Sequence, residues 1–179
     1  MDGETFTVEG ATIRAVHSPG HSNDHMCFIL EEENAMFTGD NVLGHGSSAV
    51  EELGTYMSSL GKMQSFNCEV GYPAHGTVIL NLPAKIAGEL AQKVRREKQI
   101  LQAFSNIKRK EIDSGRRGTA SVTIKELVTA MHGETIDDGL REMVLEPFVT
   151  EVLRKLAKDG KAAFEMRAGV KRWFRVDIS

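Results

Sequence analysis

In the first half of the chain, apolar positions fall in short alternating or continuous runs; in the second half they recur mostly at helical spacing. Phe6-Thr7-Val8-Glu9 and Ala11 to Val16 predict two short strands around Gly10. Met26-Cys27-Phe28-Ile29-Leu30 predicts a buried strand, Glu31 to Asn34 its turn, and Ala35 to Thr38 the strand that completes a hairpin. Leu53, Tyr56, Met57, Leu60 and Met63 predict a helix over residues 49–64, and Asn67 to Tyr72 a further strand ending at Pro73. A long helix is expected from Pro83, a favourable first-turn residue, to about Lys108, with Ile86, Leu90, Val94, Leu101 and Phe104 as its apolar stripe.

Residues 109–120 are polar and glycine-bearing and read as a linker. Beyond it, Thr123 and Glu126 form a capping-box pair that opens a helix to Met131, with Gly133 after it. Asp137 to Leu145 predicts a second helix, and Pro147 to Lys158 a third with Gly160 as terminator. Ala162–Arg167 and Lys171–Val176, separated by Ala168-Gly169, predict a hairpin. Three helices followed by a hairpin is the order of a winged-helix domain. The expected organisation is therefore an α/β domain over 1–108, a linker over 109–120 and a winged-helix-like domain over 121–179.

The 179 residues include 41% hydrophobic and 26% charged, the balance of an ordinary globular protein. No apolar run approaches the ~20 residues of a membrane span, and Met-Asp-Gly-Glu-Thr lacks the basic and apolar regions of a secretory signal. Cys27 and Cys68 make no disulfide framework, and Cys27, inside an apolar run, is expected buried and reduced; both readings favour a reducing, cytoplasmic setting. Charge divides the chain: residues 1–90 carry twelve acids against three bases, and residues 91–179 thirteen acids against nineteen bases. The basic half suits an acidic partner, either nucleic acid or an acidic protein, or is a solvated surface.

Three motifs carry the chemistry: Ser18-Pro19-Gly20-His21-Ser22-Asn23-Asp24-His25, Thr38-Gly39-Asp40 and Tyr72-Pro73-Ala74-His75-Gly76. Each sets a metal-capable side chain at a turn after an apolar run, and distant loops at strand ends are how an α/β scaffold assembles a site. Imidazole suits zinc and related ions, and a carboxylate can bridge two of them. His17 and His132 read as packing and helix-end residues.

These motifs, in this order, resemble those of the metallo-β-lactamase superfamily over roughly residues 6–108. The resemblance implies the C-terminal part of an αββα sandwich with a two-metal site at one edge. It implies His21 on the first metal, Asp40 as the bridging carboxylate and His75 on the second metal. His25 and Asp24 would orient the loop without touching metal, and His45, in Gly44-His45-Gly46, could face substrate or simply solvent. The family's His-x-His-x-Asp-His motif, which holds further ligands and the water-orienting aspartate, is absent; the six histidines are 17, 21, 25, 45, 75 and 132. The preferred reading is a piece of a longer protein.

Asp40 to Gly46, Glu51 to Leu60, Arg95 to Leu101 and Val152 to Leu156 resemble the lactamase-type thioesterases of fungal aromatic polyketide synthesis. That resemblance implies two divalent metals, zinc by default and manganese as the alternative, and an acyl carrier protein as partner. Lys171-Arg172-Trp173 also resembles the tail of lactamase-B-like endoribonucleases, for which RNA would be the substrate. A third reading is an inactive chain that binds partners through its winged helix.

Overall fold

The computed structural model describes residues 1–115 and 120–176. They divide into two compact units, Met1–Lys93 and Val94–Ser179.

The first unit is a five-stranded sheet with helices on one face. Strands β1 (Thr5–Val8), β2 (Ala11–His17), β3 (Met26–Leu30) and β4 (Ala35–Gly39) form an antiparallel meander, and β5 (Val70–Pro73) joins β4 in parallel. Gly10, at φ +79°, makes the β1–β2 turn, and Asn34, at φ +47°, the β3–β4 turn. Residues around Ile79 extend the sheet by one bridge to Gly71.

Helix α1 (Leu53–Ser65) starts four residues later than the expected start at Ala49, because Glu52 caps it by accepting from the Thr55 N–H at 2.7 Å. Likewise β5 begins at Val70 rather than Asn67, which turns the chain at φ +54°. The core of this unit is Val16, Cys27, Ile29 and Met36 from one sheet face, with Tyr56, Leu60 and Met63 of α1 and Leu82 and Ile86 beyond β5. β3 is half buried rather than buried, since Phe28 faces the other way and is exposed.

Helix α2 (Leu82–Asp113) runs past Lys108, so residues 109–113 of the expected linker are helical. The linker residues 116–119 lie outside the described ones. The buried stripe of α2 is not the apolar one expected: Val94 is exposed, while Glu89, Lys93 and Glu97 are buried with Ile86, Ile100 and Phe104. Those charges are tolerated because they pair: Lys85 and Lys93 lie 3.2 and 3.8 Å from Glu89, and Lys155 lies 2.9 Å from Glu97.

In the second unit, Val122 bridges to Trp173 and precedes α3 (Ile124–His132), whose Thr123–Glu126 capping box is formed on both sides. The expected second and third helices are one helical run: α4 (Asp138–Leu140), a π-helical turn (Arg141–Leu145) and α5 (Glu146–Lys158). Pro147 accounts for the wide turn, since it donates no hydrogen bond and its ring crowds the carbonyl four residues back. Arg141 fastens the turn through Asp138, Glu142 and Glu146. The run leads to the antiparallel hairpin β6 (Ala162–Arg167) and β7 (Val170–Arg175). Among the described residues, no helix is long and apolar enough to cross a membrane.

Candidate metal centre

The three motif loops leave the same end of the sheet: residues 18–25 between β2 and β3, Asp40 directly after β4, and His75 directly after β5. The N-terminal end of α1 holds the first of them. The Glu51 and Glu52 N–H groups donate to the Gly20 carbonyl, and Ser59 Oγ donates to the Pro19 carbonyl at 2.7 Å. Gly20, at φ +130°, lies so close to α1 that a Cβ would stand 2.4 Å from Tyr56 Cα. Only glycine makes this turn.

His21 is held by its inner nitrogen. Its Nδ1 is 2.9 Å from the Ala49 carbonyl and 3.1 Å from Ser48 Oγ. A carbonyl only accepts, so Nδ1 carries the proton and the Nε2 lone pair points free, the tautomer a metal ligand needs. Nε2 lies 3.9 Å from Asp40 Oδ2. On the other side, His75 Nε2 lies 3.5 Å from Asp40 Oδ1, with its ring largely exposed. Asp40 thus presents one oxygen to each histidine.

Asp40 is itself positioned by His25. The Asp40 N–H donates to His25 Nε2 at 3.1 Å, and His25 Nδ1 meets Ser18 Oγ at 3.0 Å. Ser18 Oγ donates to Cys27 Sγ at 3.1 Å, and the thiol donates to the Thr38 carbonyl. With Nε2 accepting, His25 is neutral; burial and the neighbouring His21 hold its pKa below the ordinary value, against the pull of Asp40. Gly39, at φ +54°, packs on the same ring: a Cβ there would stand 2.6 Å from His25 Nε2.

Asp24 lies exposed in its own loop, accepts from Ser22 Oγ at 2.8 Å, and has its pKa lowered by that bond. His45 sits against Gly76, whose added Cβ would meet its Nδ1 at 2.4 Å, while the Gly44 N–H donates to the His75 carbonyl at 2.9 Å. The 44–46 loop therefore braces the His75 turn. Sequence reasoning does not single out Asn41: it is fully buried, donates from Nδ2 to the Ser18 carbonyl at 2.6 Å, and its carbonyl accepts from Tyr56 Oη at 2.7 Å. Its place directly after Thr-Gly-Asp is the available signal.

The donors fit divalent ions in kind, two imidazole nitrogens and a carboxylate with free lone pairs. In number they supply at most two ligands on each side of Asp40, where catalytic zinc sites use three. Among the described residues, no group of three or more His, Cys, Asp or Glu side chains is gathered tightly enough to hold a metal ion.

This arrangement has the fold of a metallo-β-lactamase protein, in part. Over 98% of the chain it superposes on 51% of a β-lactamase domain protein from Burkholderia ambifaria (TM-score 0.77) and on 53% of a metallo-β-lactamase family protein from Thermus thermophilus (TM-score 0.68), each at 21% identity. Curated relatives are much nearer in sequence. The chain is 66% identical over 177 residues to an atrochrysone carboxyl ACP thioesterase of Emericella nidulans and 63% identical over 176 residues to one of a Cryptosporiopsis species. It is 61% identical over 176 residues to a lactamase-like protein of an Aspergillus species. Identity at this level over 98–99% of the chain makes these proteins its homologues. The chain spans about half the length of the curated relatives it matches. No protein-family model matches it.

Proposed function

We propose that this chain carries the Asp40 side of a two-metal hydrolase site that cleaves the thioester between an aromatic polyketide and its acyl carrier protein. The supporting observation is Asp40 itself, with Oδ1 toward His75 and Oδ2 toward His21. His21 and Asp40 would hold one divalent ion, and His75 and Asp40 the other, zinc by default and manganese as the alternative. Such ions supply Lewis acidity and acidify bound water toward neutral pH.

The chain's own residues supply position. The Ala49 carbonyl fixes the His21 tautomer, and His25 fixes the backbone of Asp40. Asp24 and His25 orient without ligating, and His45 borders the substrate side. In the overall reaction, water oxygen bonds to the thioester carbon, the carbon–sulfur bond breaks, and the carrier thiol leaves with a proton. A thiol is a good leaving group, so no strong general acid is required.

An acyl carrier protein is supported by the relatives' names and by the basic excess of residues 91–179. The order bridge, helix, helical run and hairpin in the second unit supports a winged-helix-like domain as its site. The relatives' names give the RNA alternative no support.

The test is hydrolysis of an aryl acyl-thioester by the purified chain with added zinc or manganese, for the native sequence and His21→Ala. Metal-dependent turnover lost in the variant supports the reading. No turnover with any divalent ion favours the inactive binding-module reading.

A further inference from the structure

The hairpin of the second unit is covered at one end and open at its turn. Ala168 and Gly169, at φ +50° and +77°, make a two-residue turn that sets the register of β6 and β7. Phe164 then stands beside Trp173 and Met166 beside Lys171, all four on one face. Trp173 is buried, and Val122 bridges to it on the other edge of β7. Toward the turn the same face is open, with Phe164 51% and Met166 62% exposed. Lys171 lies over both rings, its Nζ 3.8 Å from the Phe164 centroid and 4.4 Å from that of Trp173. Such contacts hold an ammonium in place without neutralising it.

Charge around this face is one-sided. Residues 161–176 carry five bases against one acid. The acid, Glu165, alternates onto the opposite face and accepts from Ser121 Oγ. Arg172 pairs with Glu126, and Lys161 with Asp159. Lys171 and Arg167 have no carboxylate partner among the described residues. Another exposed apolar group of this unit, Leu140, Met143 and Val144, lies among Asp137, Asp138 and Glu142, which repel an acidic partner.

We propose that Phe164, Met166 and Lys171, with Arg167 at the turn, form the docking surface for an acidic carrier protein. Carboxylates of the carrier meet Lys171 and Arg167, and an apolar side chain of the carrier packs on Met166 and Phe164. Methionine and aromatic side chains beside an unpaired cation are the composition of a protein interface. Single-stranded RNA suits the face less well. Bases stack on open ring faces, whereas Trp173 is buried and Phe164 is flanked by Lys171 and Trp173. The identity of the partner as an acyl carrier protein rests on the thioesterase reading; the surface it uses is the addition.

The test measures binding of the full chain to the pantetheine-loaded carrier domain of an aromatic polyketide synthase by calorimetry, at low and at physiological salt. Lys171→Glu and Met166→Asp should each weaken binding by about 10-fold or more, and binding by the native chain should fall as salt rises. Each has a control in the same unit with the same change of charge. Arg154→Glu on α5 and Met143→Asp on the acidic side, both exposed in the native chain, should leave the affinity within about twofold. Met166 is exposed, so its substitution spares the core, and far-ultraviolet circular dichroism checks that every variant folds. Equal weakening by a substitution and its control would overturn the proposal, because net charge alone would then explain binding. Unchanged affinity in both hairpin variants would overturn it and leave the thioesterase reading standing. Absence of carrier binding at low salt would also overturn it, while metal-dependent turnover of an aryl thioester, which needs no carrier, decides that reading separately. Tighter binding of an oligouridine than of the carrier, lost in the same two variants, would make the face an RNA site and overturn it too.

Discussion

His25 accepts a hydrogen bond from the backbone N–H of Asp40 at 3.1 Å. One histidine of the Pro-Gly-His-x-x-x-His motif thus sets the loop that aims the carboxylate toward the other, His21. The contact spans two loops that share one sheet end, and its other nitrogen is tied to Ser18.

His25→Leu fills the space but removes the acceptor, leaving the Asp40 N–H and Ser18 Oγ short of partners. The expected loss is about 1–3 kcal/mol by chemical denaturation. His25→Gln keeps an acceptor at similar reach and should lose less. Equal losses in the two variants would mean that the ring's bulk, and not its hydrogen bond, is what matters.

The motif glycines should rank by what a methyl group meets. Gly20→Ala meets the Tyr56 backbone at 2.4 Å, which cannot yield, and should destabilise by at least about 3 kcal/mol. Gly39→Ala meets the His25 ring at 2.6 Å and should fall below that, since a side chain can shift. Gly46→Ala, at φ +62° in open space, bears only the left-handed backbone strain of roughly 1–2 kcal/mol. Urea unfolding of the three variants checks the order.

His25 also gives the fold a pH dependence. Its folded pKa is below the ordinary 6.5, with burial the main cause. In the window between the two values the unfolded chain binds the proton and the folded chain does not, so stability rises with pH there. The contribution is fully present above pH 6.5 and is lost as pH falls through the folded pKa, when the ring can no longer accept from Asp40. Titration of the His25 ring by NMR in the metal-free chain should give a midpoint below 6.5. A midpoint at or above that value would contradict the neutral acceptor role.

Much of the candidate centre is legible in the sequence because each candidate ligand follows a glycine or proline turn: Pro19-Gly20-His21, Gly39-Asp40 and Pro73-Ala74-His75. The strands and the hairpins are legible for a similar local reason, short alternating or continuous apolar runs bounded by turn residues. The supports of the site are not. Ser18, Asn41 and Tyr56 act through bonds to residues distant in sequence, such as Tyr56 Oη to the Asn41 carbonyl. The buried stripe of α2 escapes an apolar pattern because Glu89, Lys93 and Glu97 count as polar in it, and only their ion pairs make burial tolerable. The π-turn before Pro147 reads as a break because a proline in a helix usually is one.

The two cysteines should behave as buried thiols. Cys27 is fully inaccessible, donates to the Thr38 carbonyl, and burial pushes its pKa up to about 11. Cys68 is nearly as inaccessible, with burial again raising its pKa. Thiolate is the reactive form, so at neutral pH neither thiol should react with a disulfide reagent at the rate of an unfolded chain. Labelling of both should track opening of the first unit across a urea series, and Phe66→Ala, which removes the ring under Arg14 at the α1 C-terminal cap, should speed it. Rapid labelling of Cys27 in the native chain would mean that the Ser18–Cys27 contact beneath His25 opens on its own, and the aim of Asp40 with it.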